Sequence, residues 1–244
     1  MDILQLAVHK LANTMRMYTE TSIHVKNLKH IDLEEAIGNL DRAFESKLEA
    51  FHSLYDVSKK YLDFFAYADT ASLIMLRNAI HHRDHLLFKS WNHEMVLESG
   101  LRKHLGAEFL LIDYPTLESP SHMYYFYKLE DFYLRIDESM GSPFLEKKMG
   151  TTNRQKLLDQ INSDLYFKKI QEYADSKNYP LNQIYINVMP IFVAATCRIF
   201  KALKENGVQF EGFDAKTYEE PFTNELKVDF SKFTYKPCRI PMFL

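Results

Sequence analysis

The chain has little of the two residues that break regular structure. Seven glycines and eight prolines are spread over 244 residues. That scarcity disfavours a many-turned β-sandwich and favours long helices. Cysteine is rarer still. Cys197 and Cys238 lie far apart and form no metal-type spacing, so they read as reduced thiols of a cytosolic protein, a single bridge between them being the alternative. No excess of basic charge exists either, since the formal charge is −3. A whole-surface electrostatic case for nucleic-acid binding is therefore lacking, and any RNA contact needs a local basic site. The segment MDILQLAVHKLANTM lacks the charged, apolar and small-residue regions of a signal peptide. No run reaches the roughly 18 apolar residues of a membrane span. A soluble, cytoplasmic protein with no membrane association is expected. Internal repeats, glycine-rich phosphate loops and low-complexity segments are also missing.

What the chain does have is apolar material, 46% of residues, with 14% aromatic. A substantial core is within reach, and its spacing is helical. Leu4, Ala7, Leu11, Met15 and Tyr18 mark a first amphipathic helix over 2–28. Asp32, three residues before Glu35, has the capping-box pattern and opens a second. Its stripe runs through Ile37, Leu40, Phe44, Leu48, Phe51, Tyr55, Ser58, Leu62 and Phe65, either as core or as a helix-pairing seam. Asp69 or Thr70 caps a third helix extending to about Trp91 on Leu73, Leu76, Ile80 and Leu87.

Beyond it, residues 100–150 are less regular and read as an insertion packed on the bundle. Phe109–Ile112 is a strand or buried turn, and Leu129, Phe132, Tyr133 and Ile136 make a short helix. Helical spacing resumes over 153–176. Residues 181–206 are apolar almost all round, the mark of a central helix, with Pro190 kinking or interrupting it. Residues 208–244 form a C-terminal appendage, partly β or extended. The expectation is a mainly α, single helical domain over 1–244.

One stretch of the third helix concentrates chemistry: Asn78, His81, His82, His85 and Lys89 lie roughly opposite the apolar stripe, and Arg77 and Asp84 flank its edge. Three readings fit. The first is a solvated face, with Arg77 and Asp84 pairing at its margin. The second is a metal site, because His81 with His85, or His82 with His85, have workable spacing for two ligands. A third ligand must then come from Asp84, His93, His52 or His122, and no HExxH is present. The third is RNA cleavage, where an imidazole titrating near neutrality moves protons and a permanently charged guanidinium holds the phosphate.

Arg77-Asn78-Ala79-Ile80-His81-His82 resembles the Arg-polar-x-x-x-His signature of the HEPN superfamily. The resemblance covers one helix. It implies a helical bundle and, in active members, a metal-independent endoribonuclease that needs no cofactor and works in toxin–antitoxin, phage-defence or RNA-processing systems. By that resemblance Arg77 is the motif arginine, Asn78 its polar neighbour and His82 the motif histidine; His81 has no family role, and His81 or His85 is read beside it as an assisting group. It further implies a homodimer whose two motifs form one cleft, RNA rather than DNA as target, and an antitoxin protein as a potential partner. The alternative is a noncatalytic helical interaction or RNA-binding protein. Arg77 and His82 stand about 140° apart on a regular helix, whereas His81 lies closer to the face of Arg77. A two-fold dimer relieves that separation by pooling the motifs of two chains.

Other features carry less. Tyr124-Tyr125-Phe126-Tyr127 reads first as packing and second as a base-stacking platform. Lys147-Lys148 and Lys168-Lys169 read as solvated pairs, and Cys197 as a buried small hydrophobe.

Overall fold

The computed structural model describes residues 2–81, 87–117 and 123–242. Its first two helices begin where side chains satisfy the free amides of an opening turn. Asp2 accepts the Gln5 amide at 2.8 Å while the Gln5 side chain accepts the Asp2 amide at 2.7 Å, and α1 runs over Ile3–Leu28. Asp32 accepts the Glu35 amide at 2.8 Å and opens α2, Leu33–Ser58. The pair buries Leu4, Val8, Leu11, Met15 and Tyr18 together with Leu40, Phe44, Leu48, Phe51 and Leu54. The second helix ends earlier than its stripe suggests. Asp63 accepts the Phe65 amide at 3.0 Å and caps a short 3-10 turn over Phe64–Ala66, so Phe64 enters the core from a separate element.

α3 spans Ala68–His81, and every residue from Ala68 to Leu76 is buried. This makes it a central helix, packed against α2 on one side. The expected continuation to Trp91 is not observed. Phe88 takes a left-handed φ of +59°, and its amide is donated to Asp131 Oδ2 at 2.8 Å. A tertiary hydrogen bond to a buried carboxylate thus accompanies the non-helical course of residues 87–90. His82, Asp84 and His85 lie outside the described residues, as does His122.

A short α4, Gly100–Lys103, precedes β1, Glu108–Asp113, and β2, Thr116–Leu117. β3, Phe126–Lys128, leads into α5, Leu129–Ile136. The spacing over 153–176 divides into α6, Thr151–Asp164, and α7, Phe167–Ser176, at Tyr166, whose φ is +59°. The apolar run 181–206 also divides, into strand β4, Ile184–Asn187, and helix α8, Met189–Glu205. Pro190 lies in the first turn of α8, where its missing amide costs no hydrogen bond, so it starts this helix instead of kinking it. The C-terminal stretch supplies α9, Phe213–Glu220, β5, Lys227–Val228, and β6, Thr234–Arg239.

The strands explain why 181–206 is apolar all round. A mixed sheet has the order β3-β4-β1-β6, with β1 parallel to β4 and antiparallel to β6, while β2 pairs β5 separately. Leu110, Ile112, Ile184 and Ile186 face the main helical core. Their alternates Phe109 and Tyr185 join Met95 and Ile240 in a second, smaller core beneath Trp91. A strand buried on both faces reads as a continuous apolar run. Residues 100–150 therefore contribute the inner strand β1. The architecture is mainly α with a small mixed sheet, and among the described residues no helix is long and apolar enough to cross a membrane.

Candidate functional site

Arg77 and His81 stand one turn apart at the end of α3, and both turn towards α2. Arg77 Nη2 donates to Glu49 Oε2 at 2.8 Å, while His81 Nδ1 lies 3.3 Å from Glu49 Oε1. One carboxylate thus joins the two. Arg77 Nη1 also donates to Asn78 Oδ1 at 3.3 Å, and its buried Nε has no hydrogen-bond partner among the described residues. Further along α2, His52 Nδ1 sits 3.3 Å from Asp56 Oδ2.

Glu49 is held in a charge state that burial alone opposes. Burial works against ionisation of Glu49, but the hydrogen bond and charge of Arg77, with His81 and His52 nearby, hold it below the usual carboxylate range. His52 is pushed below the ordinary imidazole value by burial and then by Arg77, against the pull of Asp56 and Glu49. Arg77 therefore favours the ionised form of Glu49 and adds to burial in disfavouring the charged form of His52.

Beside this cluster is an open cavity of about 530 Å³, bordered by Lys10, Arg42, Glu45, Glu49, Arg77 and His81. Its rim combines three cationic side chains with two carboxylates. A phosphate entering here meets Arg77 by competing with Glu49 for the guanidinium, with Lys10 and Arg42 adding attraction. Asn78 borders a different cavity of about 390 Å³, with Lys148, Asn153, Lys156 and Gln160 on its walls. Of the residues singled out from sequence, Arg77 and His81 are brought together, Asn78 bridges to Arg77 but faces the other side, and His82 and His85 lie outside the described residues. The described part of the motif, Arg77 to His81, lies on α3.

Glu49 and Arg42 carry no local mark in the sequence, because their relevance depends on how α2 packs on α3. Among the described residues, no group of three or more histidine, cysteine, aspartate or glutamate side chains is arranged to hold a metal ion. Tyr125 and Tyr127 are buried in the main core, where Tyr125 stacks on Phe44 at 4.0 Å, so the aromatic run is mostly packing. Burial raises the Cys197 thiol to about 11, which leaves it unreactive near neutrality. Both cysteines are free.

In comparisons with family models, curated proteins and solved structures, nothing matches the chain.

Proposed function

We propose that the chain is a metal-independent endoribonuclease of the HEPN type, acting through Arg77, Asn78 and His82 with His81 as an assistant. The supporting observation is the meeting of Arg77 and His81 on Glu49, at the edge of a cavity rimmed by Lys10 and Arg42. His82 follows His81 directly in the chain. In this reading Arg77 neutralises the scissile phosphate. A histidine takes the 2′-hydroxyl proton as the oxygen attacks phosphorus, and a second acid returns a proton to the departing 5′-oxygen. Glu49 positions Arg77 and His81 until RNA displaces it. A two-fold dimer supplies the second set of groups.

The Glu49 ion pair favours a second reading, in which the motif is a structural network tying α3 to α2 in a noncatalytic interaction protein. One experiment separates them. Purified protein is incubated with single-stranded and hairpin RNA in excess chelator, beside Arg77→Ala and His82→Ala. Cleavage by the parent chain that both substitutions abolish supports the ribonuclease. Cleavage retained in both rejects the assigned site. A folded parent chain that leaves every RNA intact favours the interaction protein.

A further inference from the structure

Lys47 lies on the buried side of α2, three residues after Phe44, and is 2% exposed. Its ammonium sits between two aromatic faces, 4.1 Å from the Tyr18 ring centroid and 4.0 Å from that of Phe192. Its hydrogen-bond acceptor among the described residues is the Met189 thioether sulfur at 3.6 Å, a weak partner for a group with three donors. Among those residues no carboxylate pairs with it, and burial is what acts on its charge.

This amine borders a mostly apolar cavity of about 360 Å³, within the size range of small-molecule sites. The cavity lies at the carboxyl ends of the parallel strands β1 and β4. Asp113 and Asn187, the last residues of those strands, form part of the wall, as do Met189 and Pro190 at the start of α8. Crevices at that end of parallel strands are where open α/β sheets receive ligands, and the amino end of a 17-residue helix adds partial positive charge. Asp113, the other charged group on the wall among the described residues, accepts the Asn187 amide at 2.8 Å and the Tyr114 backbone amide at 2.9 Å.

We propose that this cavity binds a small apolar carboxylate, its anionic end meeting the Lys47 ammonium and its hydrocarbon body meeting the aromatic wall. The site is distinct from the Arg77 cluster and does not depend on its reading. A buried cation lacking an anionic partner is costly, and a carboxylate supplies both the charge and the acceptors it lacks. Burial lowers the free amine to about 7, so near neutrality it is protonated only part of the time, and a bound anion retains the proton. Among the described residues, the other titratable groups on the wall are Asp113 and the tyrosines Tyr18, Tyr114 and Tyr218, from β1, α1, the turn after β1 and α9. Burial raises all three tyrosines, which keeps them protonated between about pH 6 and pH 8.

Calorimetric titration of the full chain with octanoate and trans-cinnamate tests this, with 1-octanol and cinnamyl alcohol as uncharged counterparts. The carboxylates stay ionised throughout the range used. Saturable carboxylate binding is expected at about pH 6, weakening about tenfold by about pH 8 as the protonated fraction of Lys47 falls. The alcohols should show no such change, and Lys47→Met should weaken carboxylate binding at least about tenfold at the lower pH. No saturable binding of either carboxylate at the lower pH overturns the proposal. So does binding that ignores pH or survives Lys47→Met intact. If Lys47→Met lacks the parent's circular dichroism, the parent's pH comparison with the alcohols decides alone.

Discussion

Glu49 on α2 and Arg77 on α3 meet at 2.8 Å, and the second oxygen of the same carboxylate takes His81 at 3.3 Å. This links α2 and α3 through one carboxylate. It also occupies the guanidinium to which the proposed function assigns the phosphate. Glu49→Gln should lower stability by less than about 1 kcal/mol in urea denaturation, because the pair is partly exposed to water. The same substitution should tighten RNA binding at low salt, read by fluorescence anisotropy, since an anionic competitor is gone. Weaker binding in that variant counts against Glu49 as the competitor.

His52 provides a local reporter of the cluster. Its imidazole midpoint, followed by NMR, should fall below the ordinary value of 6.5. Arg77→Met should raise it only partway, because burial is the larger cause and remains. A depressed folded-state value means that the unfolded chain binds the proton more readily. The contribution to stability is therefore present above about 6.5 and declines as pH falls below it. An unchanged midpoint in Arg77→Met removes the electrostatic link.

Lys47 makes the opposite end of the pH range informative. Its folded value of about 7 lies below the ordinary 10.5. Between those values the unfolded chain holds a proton that the native one lacks, so stability rises with pH at up to about 1.4 kcal/mol per unit. Below about 7 both states are protonated and the slope vanishes. Lys47→Met should lose this slope and be more stable at neutral pH by an amount on the order of a few kcal/mol. Denaturant unfolding at a series of pH values from 6 to 9 measures both, and parallel curves for the two proteins contradict the assignment.

Asp69 at the start of α3 and Arg198 on α8 form a forked pair, with Nη2 to Oδ2 at 2.9 Å and Nε to Oδ1 at 3.1 Å. The Asp69 side chain is 2% exposed, and the guanidinium stacks 3.9 Å from the Tyr67 ring centroid. Arg198→Ala leaves a buried carboxylate without its cation and should cost about 2–4 kcal/mol. Arg198→Lys should recover only part of this, because an ammonium cannot reproduce the fork. A double-mutant cycle with Asp69→Asn should be clearly non-additive, and simple additivity would show that the pair contributes no coupling.

Much of the helical frame was legible because its signals are local. The stripe from Leu4 to Tyr18 and the Asp32–Glu35 pair lie within a few residues of the structure they specify, as does the spacing of Leu129, Phe132, Tyr133 and Ile136. The approach of His81 to Arg77 also follows from a four-residue interval on a helix. Pro190 was visible too, although its effect depended on whether a helix already preceded it. The structure places strand β4 there, and the proline becomes a starter.

Lys47 shows the limit of that reading. It lies on the same stripe as Phe44 and Phe51, where a lysine breaks the apolar pattern, but which rings enclose it depends on α1 and α8. Likewise the non-helical backbone at Phe88 goes with a hydrogen bond to Asp131, 43 residues away in the chain.

By itself, the order of residues determined the helix-rich character, the burial stripes and the chemical types gathered near the end of α3, since caps and periodicity act over one or two turns. Tertiary packing decided the strand pairing of 108–113 with 184–187, the seating of Glu49 against Arg77 and the enclosure of Lys47. Those outcomes join segments distant in the chain. Their energies come from burial and from pairing charge away from water, and both arise only when the elements meet.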